Sequence, residues 1–321
     1  MAATRRITLV IHGARADDPA LQAALRAARG QGHTVHAHVT RATGDATRHA
    51  REAEERGDHT VVAVGGDGTV NEVLNGLSGT RAALGILPLG TANDFARQIG
   101  IPKDVRHAMD LILNQPPVRM DTAEVNGRRF LNASTGGIGA EATAETPDAL
   151  KALVGPLAYA LTGARKLMRL EHQLVRVATP AWERELELLL FAVGNTRRTG
   201  SGMMLTPQAV LDDGLLDVLL VERMPRTEFA RLSLKLRDGT HVGEDGVRYV
   251  RVPWVALSAD APMSVNVDGE PVDATRLEYR ARPLDILVHV PNPRDDERAD
   301  DAGPPSADGG PAPLPEQRTF S

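Results

Sequence analysis

The sequence contains no cysteine, which excludes disulfides and thiolate zinc sites. Aromatic residues make up only 3% of it, few for a surface that stacks on bases. No apolar run approaches the ~20 residues of a membrane span; the longest lies near "LELLLFAV". No charged-then-apolar leader opens the chain, and "MAATRRITLVIHG" reads as a first strand. The ten histidines include no H-x-x-x-H pair around a glutamate, so zinc hydrolysis has no support. Ser134 and Ser201 lack a nucleophile-elbow context. These absences lead to the expectation of a cytoplasmic protein.

Charge is scarce once it is located. The net charge of −5 comes mostly from residues 291–321, which hold seven acidic and three basic residues and a third of the prolines. That stretch reads as a disordered acidic tail. The rest of the chain is close to neutral, with no basic stripe for nucleic acid. At 321 residues, 42% hydrophobic and 25% charged, there is room for two ordinary domains.

The first third alternates apolar runs with helical patterns. "RITLVIHG", "HTVHAHVT", "TVVAVGG" and "AALGILPLG" read as strands; "PALQAALRAARGQG", "DATRHAREAEERG", "TVNEVLNGL" and "TANDFARQIGIP" read as helices. Such alternation implies α/β architecture, a doubly wound parallel sheet whose ligands bind beyond the carboxyl ends of the strands. From about residue 116 the texture becomes β-rich and mostly antiparallel, beginning with a hairpin around Asn126-Gly127. Helical patterns remain at 148–170 and in "RTEFARLSLKLRDG". The expected division is residues 1–135, a nucleotide-binding domain; 136–290, a β-rich substrate domain; and the tail 291–321.

Two glycine turns carry the chemistry, "GDGTVNEV" (66–73) and "PLGTANDF" (88–95). Each ends a strand and opens a helix. Thr69 with Glu72 fits a capping box, and Thr91 with Asp94 resembles one. Backbone N–H groups and helix dipoles at such turns make an anion site. No Gly-Lys-Ser/Thr follows, and none of the four lysines is near, so this is not a Walker loop. Asp67 and Asp94 supply the alternative. A magnesium ion held by few carboxylates brings phosphates to an acidic site by reversing the sign of the interaction.

"GGDGTVNEVLNGL" followed by "LGILPLGTANDFAR" resembles the diacylglycerol kinase catalytic domain, and within that superfamily the bacterial lipid kinases of the YegS type. "VHAHVTRATGDATRHA", "VRMDTAEVNGRRFLNASTGGIGAE", "PQAVLDDGLLDV" and "VNVDGEPV" extend the likeness over residues 6–290. The resemblance implies an ATP-dependent lipid kinase, a phosphotransferase acting on an alcohol, with its site in the cleft between two domains. It assigns Thr40, Gly65, Gly66, Asp67, Gly68, Thr69, Val70 and Thr91 to the nucleotide. It gives Asp67, Asp94 and Asp121 to the catalytic Mg2+. Asp213, with the main-chain oxygens of Val210 and Leu215, goes to a second, structural Mg2+ or Ca2+. Glu270 becomes the general base with Asp268 beside it. One departure is His12, in "VIHGARADDP", where the family commonly has asparagine.

By itself Asp268-Gly269 is first a hairpin turn, and "LDDGLLDV" a plain turn. "GGIGAEA" (136–142) contains the dinucleotide fingerprint but lacks a βαβ unit. The segment 152–170 reads either as a kinked core helix or as a lipid-facing one. The expected partners are ATP and a membrane lipid met by reversible peripheral contact at the inner membrane surface, with no nucleic acid. Two rivals remain open: a kinase of a soluble substrate, as in NAD kinases, and a non-enzymatic lipid- or nucleotide-binding regulator.

Overall fold

The computed structural model describes residues 4–77, 79–137, 172–199 and 203–291. The helical pattern at 148–170, most of "GGIGAEA", Ser201 and nearly all of the 291–321 stretch lie outside the described residues.

The first half is built from β1 (Arg6–Ile11), α1 (Pro19–Gly30), β2 (Thr34–Val39), α2 (Asp45–Glu55), β3 (Thr60–Gly65), α3 (Asp67–Leu77), β4 (Ala83–Pro88), α4 (Asp94–Gln98) and α5 (Val105–Asn114). Its strands run parallel in the order β4-β3-β1-β2. Every residue of β3 and β4 is buried, as continuous apolar strands covered on both faces require. Helix α1 starts at Pro19 because Asp18 accepts N–H bonds from Ala20 and Leu21. The buried face of α2 is alanine only, Ala46, Ala50 and Ala53. That lets α3 approach so closely that a Cβ on Gly76 would lie 2.5 Å from the Thr47 carbonyl oxygen. Helix α5, capped by Asp104, was not among the elements expected from the sequence.

The second half contains β5 (Val118–Val125), β6 (Arg128–Phe130), β7 (Ala133–Gly137), β8 (Gln173–Ala178), β9 (Glu183–Gly194), β10 (Leu216–Glu222), α6 (Arg226–Asp238), β11 (Val247–Val252), β12 (Trp254–Val267) and β13 (Glu270–Val288). These strands pair antiparallel with one another. Two of their turns have positive φ at both central residues, Asn126-Gly127 and Asp268-Gly269, the mark of tight hairpins.

Strand β13 belongs to both halves. Its register against β5 shifts between Arg282 and Ile286. Leu287 and Val288 then pair parallel with Ala83 and Leu84 of β4. Beyond it, the buried His289 ring bonds the Thr60 hydroxyl and the Gln115 carbonyl oxygen, each at 3.1 Å. The last strand thus returns to the first sheet, and Met1–Val290 form one compact unit.

Candidate functional site

The two glycine turns stand side by side because β3 and β4 are neighbours, with Gly65 opposite Pro88. Gly90 N–H donates to the Gly65 carbonyl at 3.0 Å. A Cβ on Gly90 would sit 2.3 Å from the Gly66 Cα, so the turns touch only as glycines. At the same edge Thr40 follows β2 and donates its N–H to Ile11. A Cβ on Gly13 would lie 2.8 Å from the Thr40 carbonyl oxygen. The His12 ring is used within its own turn, Nδ1 accepting from Ala14 N–H at 3.3 Å. Thr40, Gly65, Gly66, Gly68, Thr69, Val70 and Thr91 therefore lie along the carboxyl edge of the parallel sheet.

Neither turn is a capping box. Helix α3 begins at Asp67, two residues before Thr69, and the Thr69 hydroxyl packs under Gly65. Glu72 caps another helix: its Oε2 accepts the N–H groups of Gly44 (3.0 Å) and Ala46 (3.2 Å) at the start of α2. In the second turn the organiser is Asn93, in the left-handed conformation, whose side-chain amide bonds Pro88 and Gly90. Thr91 is exposed. The turns are too tight for a threonine three residues ahead of the acid to act as cap.

Asp67 accepts the Phe95 N–H at 3.2 Å, so its carboxylate occupies the start of α4. Burial raises the Asp94 pKa, the Asp67 charge raises it further, Arg97 opposes, and Asp268 adds to the rise. Arg97 stands 4.0 Å away, a distant counter-ion. Two acids thus share a field of their own sign, and among the described residues Asp67 Oδ2 and the Asp94 carboxylate accept no hydrogen bond, an arrangement that a divalent cation relieves. Among the described residues no group of three or more His, Asp or Glu side chains is arranged to hold a metal alone. Two carboxylates completed by water and substrate phosphates is the regime of Mg2+, and Asp67 with Asp94 fit it.

Asp121 differs from that pair. It is buried, Oδ2 accepts the Gly214 N–H at 2.6 Å, and Oδ1 accepts the Leu284 N–H at 2.7 Å. It fastens the 211–214 loop to the bend in β13, and no hydrogen bond or ion pair joins it to Asp67 or Asp94 among the described residues. Asp213 accepts the Leu215 N–H at 2.9 Å and forms an ion pair with Arg251. Val210 is exposed. A guanidinium already neutralises the one side chain offered to a second metal, so this loop fits such an ion poorly.

Asp268 sits in the β12–β13 turn. Its Oδ2 accepts from Leu131 N–H (2.7 Å) and the Asn71 side-chain amide (2.9 Å). Its Oδ1 accepts from Asn132 N–H (2.9 Å) and Ala133 N–H (3.1 Å). Burial pushes its pKa up and these four donors pull against it. With two donors on each oxygen and no acceptor for an acid proton, the group is a carboxylate whose lone pairs are taken. Asp268, expected among the catalytic residues beside the general base Glu270, holds backbone in place with both oxygens engaged.

Glu270, two residues on, is half-exposed, and its Oε2 lies 2.6 Å from Arg128 Nη2. Asn71 is one helical turn beyond Asp67, so one face of α3 carries the metal-fitting acid and the contact to the Asp268 turn. Asn75, a further turn on, exchanges bonds with the backbone of Arg129. The Arg129 side chain pairs with Asp285 of β13 at 2.6 Å. Asn71, Asn75, Arg128 and Arg129 are the residues that sequence reasoning missed. The first lies inside the glycine-turn motif, and both arginines follow the Asn126-Gly127 turn directly.

Comparison with known proteins gives two consecutive matches along the chain. The family model "Diacylglycerol kinase catalytic domain" matches residues 6–125, and "YegS C-terminal NAD kinase beta sandwich-like domain" matches 133–290. A Pseudomonas aeruginosa protein named "Probable lipid kinase YegS-like" is 41% identical over 288 residues, 89% of this chain and 94% of that protein. One of the same name from Chromohalobacter salexigens is 40% identical over 267 residues, 82% and 86% of the two chains. A solved structure described as a "putative diacylglycerol kinase" from Bacillus anthracis superposes with a TM-score of 0.72 at 26% identity, covering 90% of this chain and 96% of that one. The chain belongs to the YegS-type lipid kinase family.

Proposed function

We propose that this protein transfers the γ-phosphate of ATP to the hydroxyl of a membrane lipid. The observation that carries this reading is the Asn71–Asp268 hydrogen bond, which ties the helix bearing Asp67 to the turn bearing Glu270. Thr40, Gly65, Gly66, Gly68, Thr69, Val70 and Thr91 would line the nucleotide. Asp67 and Asp94 would hold Mg2+, which supplies charge neutralisation to the phosphates. Glu270 accepts the proton of the lipid hydroxyl as that oxygen bonds to the γ-phosphorus. The bond from phosphorus to the β–γ bridging oxygen breaks, and ADP leaves. Phosphoryl transfer asks mainly for positioning and charge compensation, and a glutamate base suffices. No helix among the described residues is long and apolar enough to cross a membrane. The reading therefore has the lipid met by reversible contact with the cytoplasmic face of the inner membrane.

The test is a panel of diacylglycerol, sphingoid base, phosphatidylglycerol and other hydroxylated lipids in mixed micelles with radiolabelled ATP and Mg2+. Label is expected in lipid, and chelation should abolish it. Label only in soluble acceptors would favour the soluble-substrate kinase, and ATP binding without transfer a regulator. Glu270→Gln should lose turnover while binding nucleotide nearly as well.

A further inference from the structure

Strand β6 sends its two arginines to different work. Arg129 serves the joint between the halves through Asp285 and, at 3.8 Å, Glu124. Among the described residues Arg128 has one acidic partner, Glu270, at 2.6 Å. Both ends of this contact stand next to fixed turns. The Asn126 side chain donates to the Arg276 carbonyl and accepts the Glu278 N–H. The Asp268 turn is held by its four donors and by Gly269 N–H on the Asn266 side chain at 2.7 Å. Both side chains are partly exposed, at 36% and 47%, and ion pairs of that kind add little stability. Fold maintenance does not account for the pair.

The geometry of the contact gives it a different use. The β12–β13 turn carries Asp268 and the glycine turns carry Asp94 and Asp67, three acids whose mutual field the Asp94 shift reports. Arg97, the cation on that side, is already beside Asp94. Arg128 is the cation placed against Glu270 itself. The planar donors of a guanidinium fix where a bound carboxylate points. We infer that Arg128 is a positioning residue that orients the Glu270 carboxylate for proton abstraction. This rests on the reading of Glu270 as base, and the experiment separates the two.

Arg128→Gln, Arg128→Lys and Glu270→Gln are compared with the unaltered enzyme for kcat and KM for ATP, with lipid in mixed micelles. Arg128→Gln should lower kcat by about 10- to 100-fold with KM for ATP within about twofold. Arg128→Lys should restore only part of kcat, because it keeps the charge without the planar fork. A melting temperature close to that of the unaltered protein shows that the variants are folded. An inactive Glu270→Gln together with an unchanged kcat in Arg128→Gln overturns the role of Arg128 alone. Full activity in Glu270→Gln removes the base, and the role of Arg128 with it.

Discussion

At the carboxyl edge of the parallel sheet, Asp67 and Asp94 share one backbone N–H and one guanidinium at 4.0 Å. At the joint with the antiparallel half, Asp121 and Asp268 accept six N–H bonds between them, two and four respectively. The side chains are the same and their uses diverge. A carboxylate with both oxygens engaged by N–H donors from other segments is a fastener. One that keeps open oxygens beside another acid carries unbalanced charge, as the raised Asp94 pKa reports. The residue type announces an acid; the count of N–H donors aimed at it decides which kind it is.

The comparison breaks most visibly at Asp268. Asp268→Ala leaves four donors at a half-buried position without an acceptor, a loss on the order of 3 kcal/mol of folding stability. Denaturant unfolding would show it as a large fall in midpoint. An unchanged midpoint would mean that the four contacts do not fasten the turn. Asp94→Asn should do the opposite. Removing a charge repelled by Asp67 leaves melting unchanged or raised, while turnover falls by up to ~10³-fold, about 4 kcal/mol in activation. A variant that melts early and keeps its activity would put Asp94 with the fasteners.

Much of this division was within reach of the sequence. The all-buried β3 and β4 follow from "TVVAVG" and "ALGILP", and the hairpin from Asn126-Gly127. Asp67 and Asp94 stand out because acids do not normally line an anion cradle. Helix α5 announces itself, with Asp104 as cap and Val105, Ala108, Met109, Ile112 and Leu113 on one face. Strands β8 and β11 are harder, since "QLVRVA" and "VRYVRV" alternate with arginine over only six residues. The donors around Asp268 come from residues 71, 131, 132 and 133, and no local pattern brings those segments to residue 268. The return of β13 to β4 depends on a register shift, which composition does not record. For the same reason Glu72 reads as the cap of its own helix when its partners are 26 and 28 residues earlier.

Acid separates the two regions by another route. Burial depresses the His289 pKa to about 4 from its ordinary 6.5, with Arg5 adding to the fall and the bond to Gln115 opposing it. Between those values the unfolded chain takes up a proton that the folded chain refuses. Stability is therefore complete above about pH 6.5, declines as pH drops toward 4, and loses no more from this group below that, about 3 kcal/mol in all. His241, also depressed by burial, acts in the same direction. His289→Gln should flatten this slope in equilibrium unfolding followed against pH. An equal slope in the variant would mean that the tie between β13 and β3 stays outside the acid response.

The smallest effect tests the donor-counting rule at a third acid. Glu72 takes two N–H groups, those of Gly44 and Ala46, at the exposed start of α2. Half the donors of Asp268, with water near enough to replace them, predicts a loss of about 1 kcal/mol for Glu72→Ala, the usual size of a lost cap. Hydrogen exchange should quicken at the first turn of α2 and stay unchanged in α3. Faster exchange in the first turn of α3 instead would mean that Glu72 caps its own helix after all. A loss as large as that at Asp268 would mean that burial, more than the number of donors, sets what a saturated carboxylate contributes.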